Sequence, residues 1–124
     1  MFNADTYCTL APYFEVQDGQ LTAFKDLAAR FTEIARTEPG CMHYTYAFNG
    51  NTAYCREGYD SAEAILAHIQ NVGALFDEAL KVAKLVRLEV HAPLIDIEKL
   101  QAPLAALNPS FFAFEGGIRR TNLA

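Results

Sequence analysis

The chain of 124 residues is just over half apolar and one fifth charged, which is typical of one globular domain spanning residues 1–124 around a single core. Ten basic and fifteen acidic residues give a net charge of −5, and the lysines and arginines are scattered. Because nucleic-acid backbones are bound by clustered positive charge, nucleic acid is not expected as a partner. No stretch approaches the ~20 apolar residues of a membrane span and the N-terminus does not resemble a leader peptide, so we expect a cytoplasmic protein without a membrane partner.

The first half of the chain alternates between strand and helix patterns. Residues 6–16 are rich in β-branched and aromatic side chains and predict a strand, in which Pro12 suggests a bulge or an edge position. Apolar residues at steps of three and four over residues 21–35 predict a helix that ends at Glu38-Pro39-Gly40. The segments "CMHYTYAF" and "TAYCREGY" predict two further strands, joined by a tight hairpin turn at Asn49-Gly50-Asn51.

The second half contains another helix, another strand and a tail. Asp60, followed three residues later by Glu63, predicts a capping box at the start of the second helix, which residues 71–73 interrupt. The segment "KLVRLEVHAP" returns to strand alternation. The tail contains a short predicted helix over about residues 96–107, a turn at Asn108-Pro109 and the apolar segment "SFFAF".

The order β-α-β-β-α-β is that of an α+β ferredoxin-like fold, in which helices cover one face of a four-stranded antiparallel sheet. We expect the core of the domain to span about residues 6–92. Residues 93–124 are expected to form a C-terminal extension of helix and strand. Such a sheet leaves its other face without helices, and we call it the uncovered face.

Alternation along the strands predicts which side chains share a face, because residues two apart on a strand point the same way. Val86, Leu88 and Val90 form an apolar set that is expected under the helices, whereas Cys41 and His43 are expected to share the other face. Matching apolar sets across the strands leaves a polar and aromatic group on the uncovered face: His43, Tyr54, Arg56, Arg87, Glu89 and His91, to which Tyr7 and Tyr13 can be added from the first strand. An exposed surface of this kind favours a homodimer that encloses a partly polar cavity in each half.

The cysteines and histidines do not predict a metal site. Cys8, Cys41 and Cys55 form no CxxC or CxxH pair, so reduced thiols are expected. The histidines show no HxH, HxxH or HxxxH spacing.

The segments "EPGCMHYTYAF" and "YCREGYDSAEAILAH" resemble the antibiotic biosynthesis monooxygenase domain of the dimeric α/β-barrel superfamily. In that family a Pro-Gly-Cys-like turn leads into the second strand, the third strand ends in a Glu-x-aromatic-(Asp/Glu)-Ser-like segment, and an Ala-His pair follows in the next helix. The matching positions here are Glu57, Tyr59, Asp60, Ser61, Ala67 and His68. The resemblance covers about residues 6–91.

The resemblance implies a homodimeric enzyme that oxidises quinols or polycyclic phenols with O2, without metal, flavin or haem. We therefore predict a cofactor-independent monooxygenase that acts on a quinol or small polyphenol. The chain contains no tryptophan, so the Asn-Trp-His arrangement of the haem-degrading branch cannot be complete. Two alternatives share the same sequence features: a non-catalytic protein that binds a small molecule, and a structural homodimer with a filled cavity.

Oxygenation of this kind needs a base, donors that stabilise an oxyanion, and a largely dry pocket. His68, beside the apolar stripe of its helix, is predicted to be the base or to orient it, and His43 is the rival base. Tyr54 and Arg56 are predicted to bind the phenolate, with Tyr7 and His91 as further substrate-binding residues. The structural alternatives are a hydrogen bond to a neighbouring strand or loop for His68, a dimer contact for His43 and a loop anchor for His91. Tyr54 or Arg56 can instead simply cross the dimer seam, where Arg56 would pair with Glu89.

Overall fold

The strands and helices follow the alternation and the apolar stripes of the sequence. In the computed structural model, which describes residues 1–120, the strands are β1 (Phe2–Ala4), β2 (Cys8–Val16), β3 (Cys41–Asn49), β4 (Thr52–Tyr59), β5 (Ala83–Ala92), β6 (Ser110–Ala113) and β7 (Ile118–Arg120). The helices are α1 (Leu21–Arg36), α2 (Ala62–Asn71), α3 (Gly73–Ala79) and α4 (Leu94–Leu104), and a 3-10 turn over Ala105–Leu107 follows α4. The last residues of the predicted extension, 121–124, lie outside the described residues.

The strand order of the main sheet is β3-β4-β2-β5-β6. Its first four strands pair antiparallel with one another, which confirms the predicted ferredoxin-like fold. The tail widens this sheet, because β6 pairs in parallel with β5 and places Phe112 opposite His91. Strands β1 and β7 form a separate two-stranded sheet from the ends of the described chain.

All the helices contribute to a core on one face of the main sheet. One cluster of buried residues joins β2 and β5 to α2 and α4, and includes Leu10, Ile65, Val90 and Leu100. The other cluster joins the sheet to α1 and α3 and includes Phe14, Phe24, Phe31, Ala53 and Leu75. Since Leu100 and Leu104 of α4 are almost fully buried, the tail is packed into the same core as the strands. Among residues 1–120, we find no helix long and apolar enough to cross a membrane.

A bulge in β5 changes the predicted faces of that strand. Tyr13 pairs with Arg87 whereas Phe14 pairs with Leu85, so Val86 is the extra residue and is 52% exposed. The prediction that Val86 lies under the helices is therefore wrong, and Leu85 takes this place. Pro12 lies close to this bulge in a central strand, not at an edge.

A similar irregularity at the start of β3 makes Met42 the extra residue. Cys41 pairs with Tyr59 and packs against the core, while His43 pairs with Gly58 on the uncovered face. The predicted grouping of Cys41 with His43 is therefore wrong, because an inserted residue reverses the alternation of side chains at that point.

The start of α2 also differs from the prediction. Ser61, not Asp60, is the N-cap residue, and its Oγ accepts a hydrogen bond of 3.1 Å from the backbone N–H of Ala64. Glu63 pairs with Lys99 of α4 instead of completing a capping box. The turn before β3 lies against this part of α2, since a Cβ atom on Gly40 would be only 2.5 Å from the Cβ of Ala64.

Candidate active site

A partly enclosed cavity lies between the main sheet and the helices. Its volume of about 40 Å³ is room for about one or two water molecules. Most of its lining is apolar, from β2, β5 and the helices, and includes Leu10, Phe14, Phe31, Ile69, Phe76 and Leu88. Two titratable side chains, Glu57 and His68, and the phenols of Tyr44 and Tyr46 complete it.

Glu57 is a carboxyl group on the core face of a strand. Alternation in β4 turns it inward with Cys55 and Tyr59, and it is only 2% exposed. The Tyr59 hydroxyl donates a hydrogen bond of 2.6 Å to Glu57 Oε1. Burial raises the pKa of Glu57 to about 8, although hydrogen bonds from Tyr59 and Cys55 act in the opposite direction. At neutral pH this carboxyl group is therefore mostly protonated and can serve as an acid.

His68 lies on the inward side of α2, three residues after Ile65, and is 2% exposed. Its Nδ1 is 2.7 Å from Glu38 Oε1, and the Asn71 amide donates a 2.8 Å hydrogen bond to Glu38 Oε2. The Glu38 carboxylate can only accept, so we assign the imidazole proton to Nδ1 and the acceptor role to Nε2. Burial lowers the pKa of His68, and the hydrogen bond and charge of Glu38 oppose this only in part. His68 is therefore a neutral base at pH 7.

The acid and the base face each other. Nε2 of His68 lies 3.6 Å from Oε1 of Glu57, slightly beyond a direct hydrogen bond, so a small movement or one bridging water would connect them. The rings of Tyr44 and Tyr59 flank the imidazole at 5.2 and 5.5 Å. Burial raises the pKa of both tyrosines, which remain neutral phenols. This site can take a proton from a bound molecule and return one to it.

The turn before β3 positions Glu38 for this arrangement. Gly40 allows that turn to approach α2, and its carbonyl accepts a hydrogen bond of 2.9 Å from the backbone N–H of Asp60. The contact between Glu38 and His68 thereby joins residues 30 positions apart in the sequence.

Of the other predicted site residues, His43, Tyr54, Arg56 and His91 lie together on the uncovered face, as the strand register shows. Their predicted placement on that face is correct. The sheet separates them from the cavity that contains His68, so the predicted grouping of His68 and His43 around one pocket is wrong within a single chain.

Within one chain these residues make contacts that the sequence did not predict. The His43 imidazole lies over Gly58, where a Cβ atom would be 2.3 Å from its Nε2, and its Nδ1 is 3.4 Å from the Arg56 carbonyl oxygen. Within the chain Glu89 forms ion pairs with Arg87 and with His91, and the pair with Arg56 across a dimer seam stays a prediction.

The remaining predicted residues contact the tail or the ends of the chain. The His91 ring stacks on Phe112 of β6 with centroids 4.8 Å apart. Tyr7 lies outside the cavity, with its ring 3.9 Å from the guanidinium carbon of Arg119. On the uncovered face the rings of Tyr13 and Tyr54 pack against each other at a tilt of 38°, with centroids 4.7 Å apart. None of these rings is in contact with Glu57 or His68.

Sequence reasoning did not select Glu38, Glu57 or Tyr59 as site residues. For Glu57 a signal was present, because strand alternation puts it on the same face as Ala53 and Cys55. Burial of a carboxyl group on that face destabilises the fold, so its presence there indicates a functional role. For Glu38 there was none, since its partner His68 lies far along the chain.

We find no arrangement of three or more histidine, cysteine, aspartate and glutamate side chains suited to a metal ion within residues 1–120. The three cysteines are free thiols. Burial raises the pKa of Cys8 to about 12 and that of Cys41 to about 11. These thiols are therefore protonated at neutral pH and are poor nucleophiles.

Comparisons with known proteins agree with the fold described above. The family model of the antibiotic biosynthesis monooxygenases matches residues 9–79. MupZ from Pseudomonas fluorescens has a solved structure that is 40% identical, with a TM-score of 0.91 over 97% of this chain and 99% of MupZ. The search of curated proteins returned no match.

More distant solved structures share the fold. Rv0793 from Mycobacterium tuberculosis is 20% identical with a TM-score of 0.63, over 71% of this chain and 95% of its own. A candidate antibiotic biosynthesis monooxygenase from Chloroflexus aurantiacus J-10-fl is also 20% identical, with a TM-score of 0.60 over 71% of this chain and 93% of its own. The family match spans more than half of the chain and includes Glu38, Glu57 and His68. The chain therefore belongs to the antibiotic biosynthesis monooxygenase family.

Proposed function

We propose that the chain is a cofactor-independent monooxygenase that oxidises a quinol or small polyphenol with O2 at the cavity between the sheet and the helices. The observation that carries this proposal is the buried acid–base pair of Glu57 and His68 in a mostly apolar lining. Members of this family are generally monooxygenase-like, and a dry site with one base and one acid suits their chemistry.

The pair can carry the proton transfers that such a reaction needs. Nε2 of His68 takes the phenolic proton, the electron-rich phenolate adds O2 at a ring carbon, and the peroxide takes the proton back from His68 to become a hydroperoxide. His68 then removes the hydrogen of that ring carbon as a proton while the O–O bond breaks. The distal oxygen leaves as water with a proton from Glu57, which His68 afterwards restores. A hydroquinone and O2 thereby give a hydroxyquinone and one water, with no external reductant. General acid and base assistance each contribute about 100-fold or more to steps of this kind.

The uncovered face supports a homodimer as part of this proposal. It presents the packed rings of Tyr13 and Tyr54, and its charged groups Arg87 and Glu89 already pair with each other. Aromatic rings and paired charges lose little when they are removed from water, and the exposed Arg56 is the charged group that a partner would have to pair. Family members are often dimers, and a second copy is the partner that fits this face.

The facing acid and base also favour a second candidate function, acid–base catalysis that does not use O2. One group can protonate an oxygen of the substrate while the other removes a proton from a hydroxyl or carbon, as in an isomerisation, an addition or an elimination. The observation in its favour is that Glu57 is held as an acid before any oxygen anion has formed.

O2 consumption by the metal-stripped protein with a panel of quinols and polyphenols tests the first proposal. We expect uptake above autoxidation that falls by about 100-fold or more in His68→Ala. His43→Ala is the matched control, because this histidine lies on the opposite face of the sheet, and it should retain activity. Loss of activity in His43→Ala but not in His68→Ala would refute the assignment of the site to the cavity.

The other outcomes separate the remaining functions. Product formation that continues without O2 would support the second candidate. Saturable binding without turnover would support a non-catalytic binding protein, and the absence of both would support a structural homodimer.

Glu38→Gln tests the positioning role of Glu38. Because the charge and hydrogen bond of Glu38 raise the pKa of His68, the variant should lower that pKa further, as followed by NMR titration of the imidazole protons. The pH profile of turnover should move to lower pH with it. An unchanged His68 pKa would contradict this role.

A further inference from the structure

Another cavity lies directly outside the one that contains Glu57 and His68. It occupies about 350 Å³, within the usual range of small-molecule pockets of about 300 to 1,000 Å³. It opens between α2–α3 on one side and the end of α4 on the other, and we call it the outer groove. Among the described residues, both cavities are lined by Ile69, Val72, Phe76 and Leu107. One layer of apolar side chains therefore separates the outer groove from the inner cavity.

Part of this dividing layer lies where helices end. Val72 lies at the break between α2 and α3 and is outside both. Leu107 ends the 3-10 turn, just before Asn108 with its positive φ of 51°. Pro103 lies within α4 near its end and cannot donate a helical hydrogen bond. Helix ends hold fewer backbone hydrogen bonds than helix middles, so the side of the layer next to α4 can move aside at lower cost than the rest of the core. The side next to α2 and α3 stays bonded, because the Val72 N–H donates to the His68 carbonyl and the Val72 carbonyl accepts from Phe76.

The lining of the two cavities determines the charge of a ligand that fits them. Among the described residues, neither lining contains a lysine or arginine, and the only charged side chain of the outer groove is Asp77. An anionic ligand would have to bury its charge near Asp77 and Glu57 without a cationic partner, which is costly. The groove side chains Pro103, Leu104 and Leu107 are apolar. A neutral molecule with an apolar portion is therefore favoured.

We infer that the substrate is an elongated, uncharged molecule whose hydroxyl-bearing end lies at Glu57 and His68 and whose apolar chain passes the dividing layer into the outer groove. The inference rests on the proposed function for the reaction at the buried end. It also explains how an inner cavity of about 40 Å³ accepts a substrate, because displacement of the shared layer joins the two volumes.

The tail forms one side of the outer groove. The family match ends at residue 79, before the tail begins, whereas the similarity to MupZ spans 97% of this chain. The preference for an elongated substrate therefore belongs to chains that carry this tail, and it is not expected of the family as a whole.

Isothermal titration of the full chain with 4-alkylphenols from 4-methylphenol to 4-octylphenol, under nitrogen to prevent turnover, tests the inference. Each added methylene should strengthen binding by up to about fourfold until the groove is filled. The corresponding 4-alkylbenzoates, which are anionic at neutral pH, should bind at least about tenfold more weakly. Affinity that does not depend on chain length, equal binding of the benzoates, or no binding of any alkylphenol would each overturn the inference.

Leu107→Trp tests whether the alkyl chain of the ligand lies in the outer groove. This substitution enlarges a side chain of the dividing layer and should remove most of the dependence on chain length. Leu94→Trp is the matched control, because Leu94 is a 60% exposed residue of α4 that lines neither cavity, and it should behave as wild type. Circular dichroism verifies that both variants fold, and the wild-type series decides the inference without them. Full chain-length dependence in folded Leu107→Trp would overturn it.

The result is distinguishable from a failure of the proposed function, because binding is measured without turnover. Chain-length dependence without O2 uptake by any quinol would support the extended site and refute the oxygenase. O2 uptake with compact quinols and no chain-length dependence would support the oxygenase and overturn the extended site.

Discussion

The buried carboxyl group of Glu57 makes the stability of the fold depend on pH. Burial raises its pKa from an ordinary 4.5 to about 8, so the folded chain keeps a proton that the unfolded chain releases above pH 4.5. Its contribution to stability is therefore fully present below pH 4.5 and is lost as the pH rises through about 8.

The size of this effect can be isolated from that of His68. Burial lowers the pKa of His68 below its ordinary 6.5, so its contribution is complete above pH 6.5 and is lost as the pH falls below that value. Between pH 6.5 and 8, Glu57 is therefore the residue, of Glu57 and His68, whose proton binding differs between the folded and the unfolded chain. A difference of one proton changes the free energy of unfolding by about 1.4 kcal/mol per pH unit, which is about 2 kcal/mol over this interval.

Glu57→Gln tests this reasoning, because glutamine has a similar volume and can accept the Tyr59 hydrogen bond but cannot ionise. Urea unfolding followed by circular dichroism should show that the stability of the wild type, relative to the variant, falls by about 2 kcal/mol between pH 6.5 and 8. Glu98→Gln, an exposed position on α4, is the matched control and should show no such trend. A constant difference between wild type and Glu57→Gln would refute a protonated Glu57 and, with it, its role as acid.

Further predictions concern the approach of the turn to α2 and the uncovered face. Gly40→Ala should destabilise the fold by about 1 to 3 kcal/mol in urea unfolding, because its Cβ atom would lie 2.5 Å from that of Ala64. Gly116→Ala is the control and should leave the stability unchanged, because its Cβ atom meets nothing within 4 Å. Equal destabilisation by the two substitutions would contradict the packing argument. Tyr13→Glu places a charge beside Tyr54 and should shift the proposed homodimer to monomer in sedimentation velocity; an unchanged sedimentation coefficient would exclude this face as the interface.

Much of the fold was predictable because its determinants are local. The apolar stripe of α1, the Asn49-Gly50 turn and the interruption at residues 71–73 each depend on residues within a few positions of one another. The bulges at Met42 and Val86 were not predictable, because an extra residue is defined only by which strand it pairs with. One bulge was enough to exchange Val86 for Leu85 in the core.

The amino-acid sequence by itself determined the order of elements, the ferredoxin-like fold and the resemblance to the family, since periodicity and short motifs survive without coordinates. It also identified His68 as a candidate base. Only the tertiary structure decided that the cavity of His68 lies on the helix side of the sheet, away from His43, and that Glu38 and Glu57 are the partners of His68. The physical reason is that an acid with a raised pKa is made by exclusion of water, which here requires the sheet and the helices to close over Glu57.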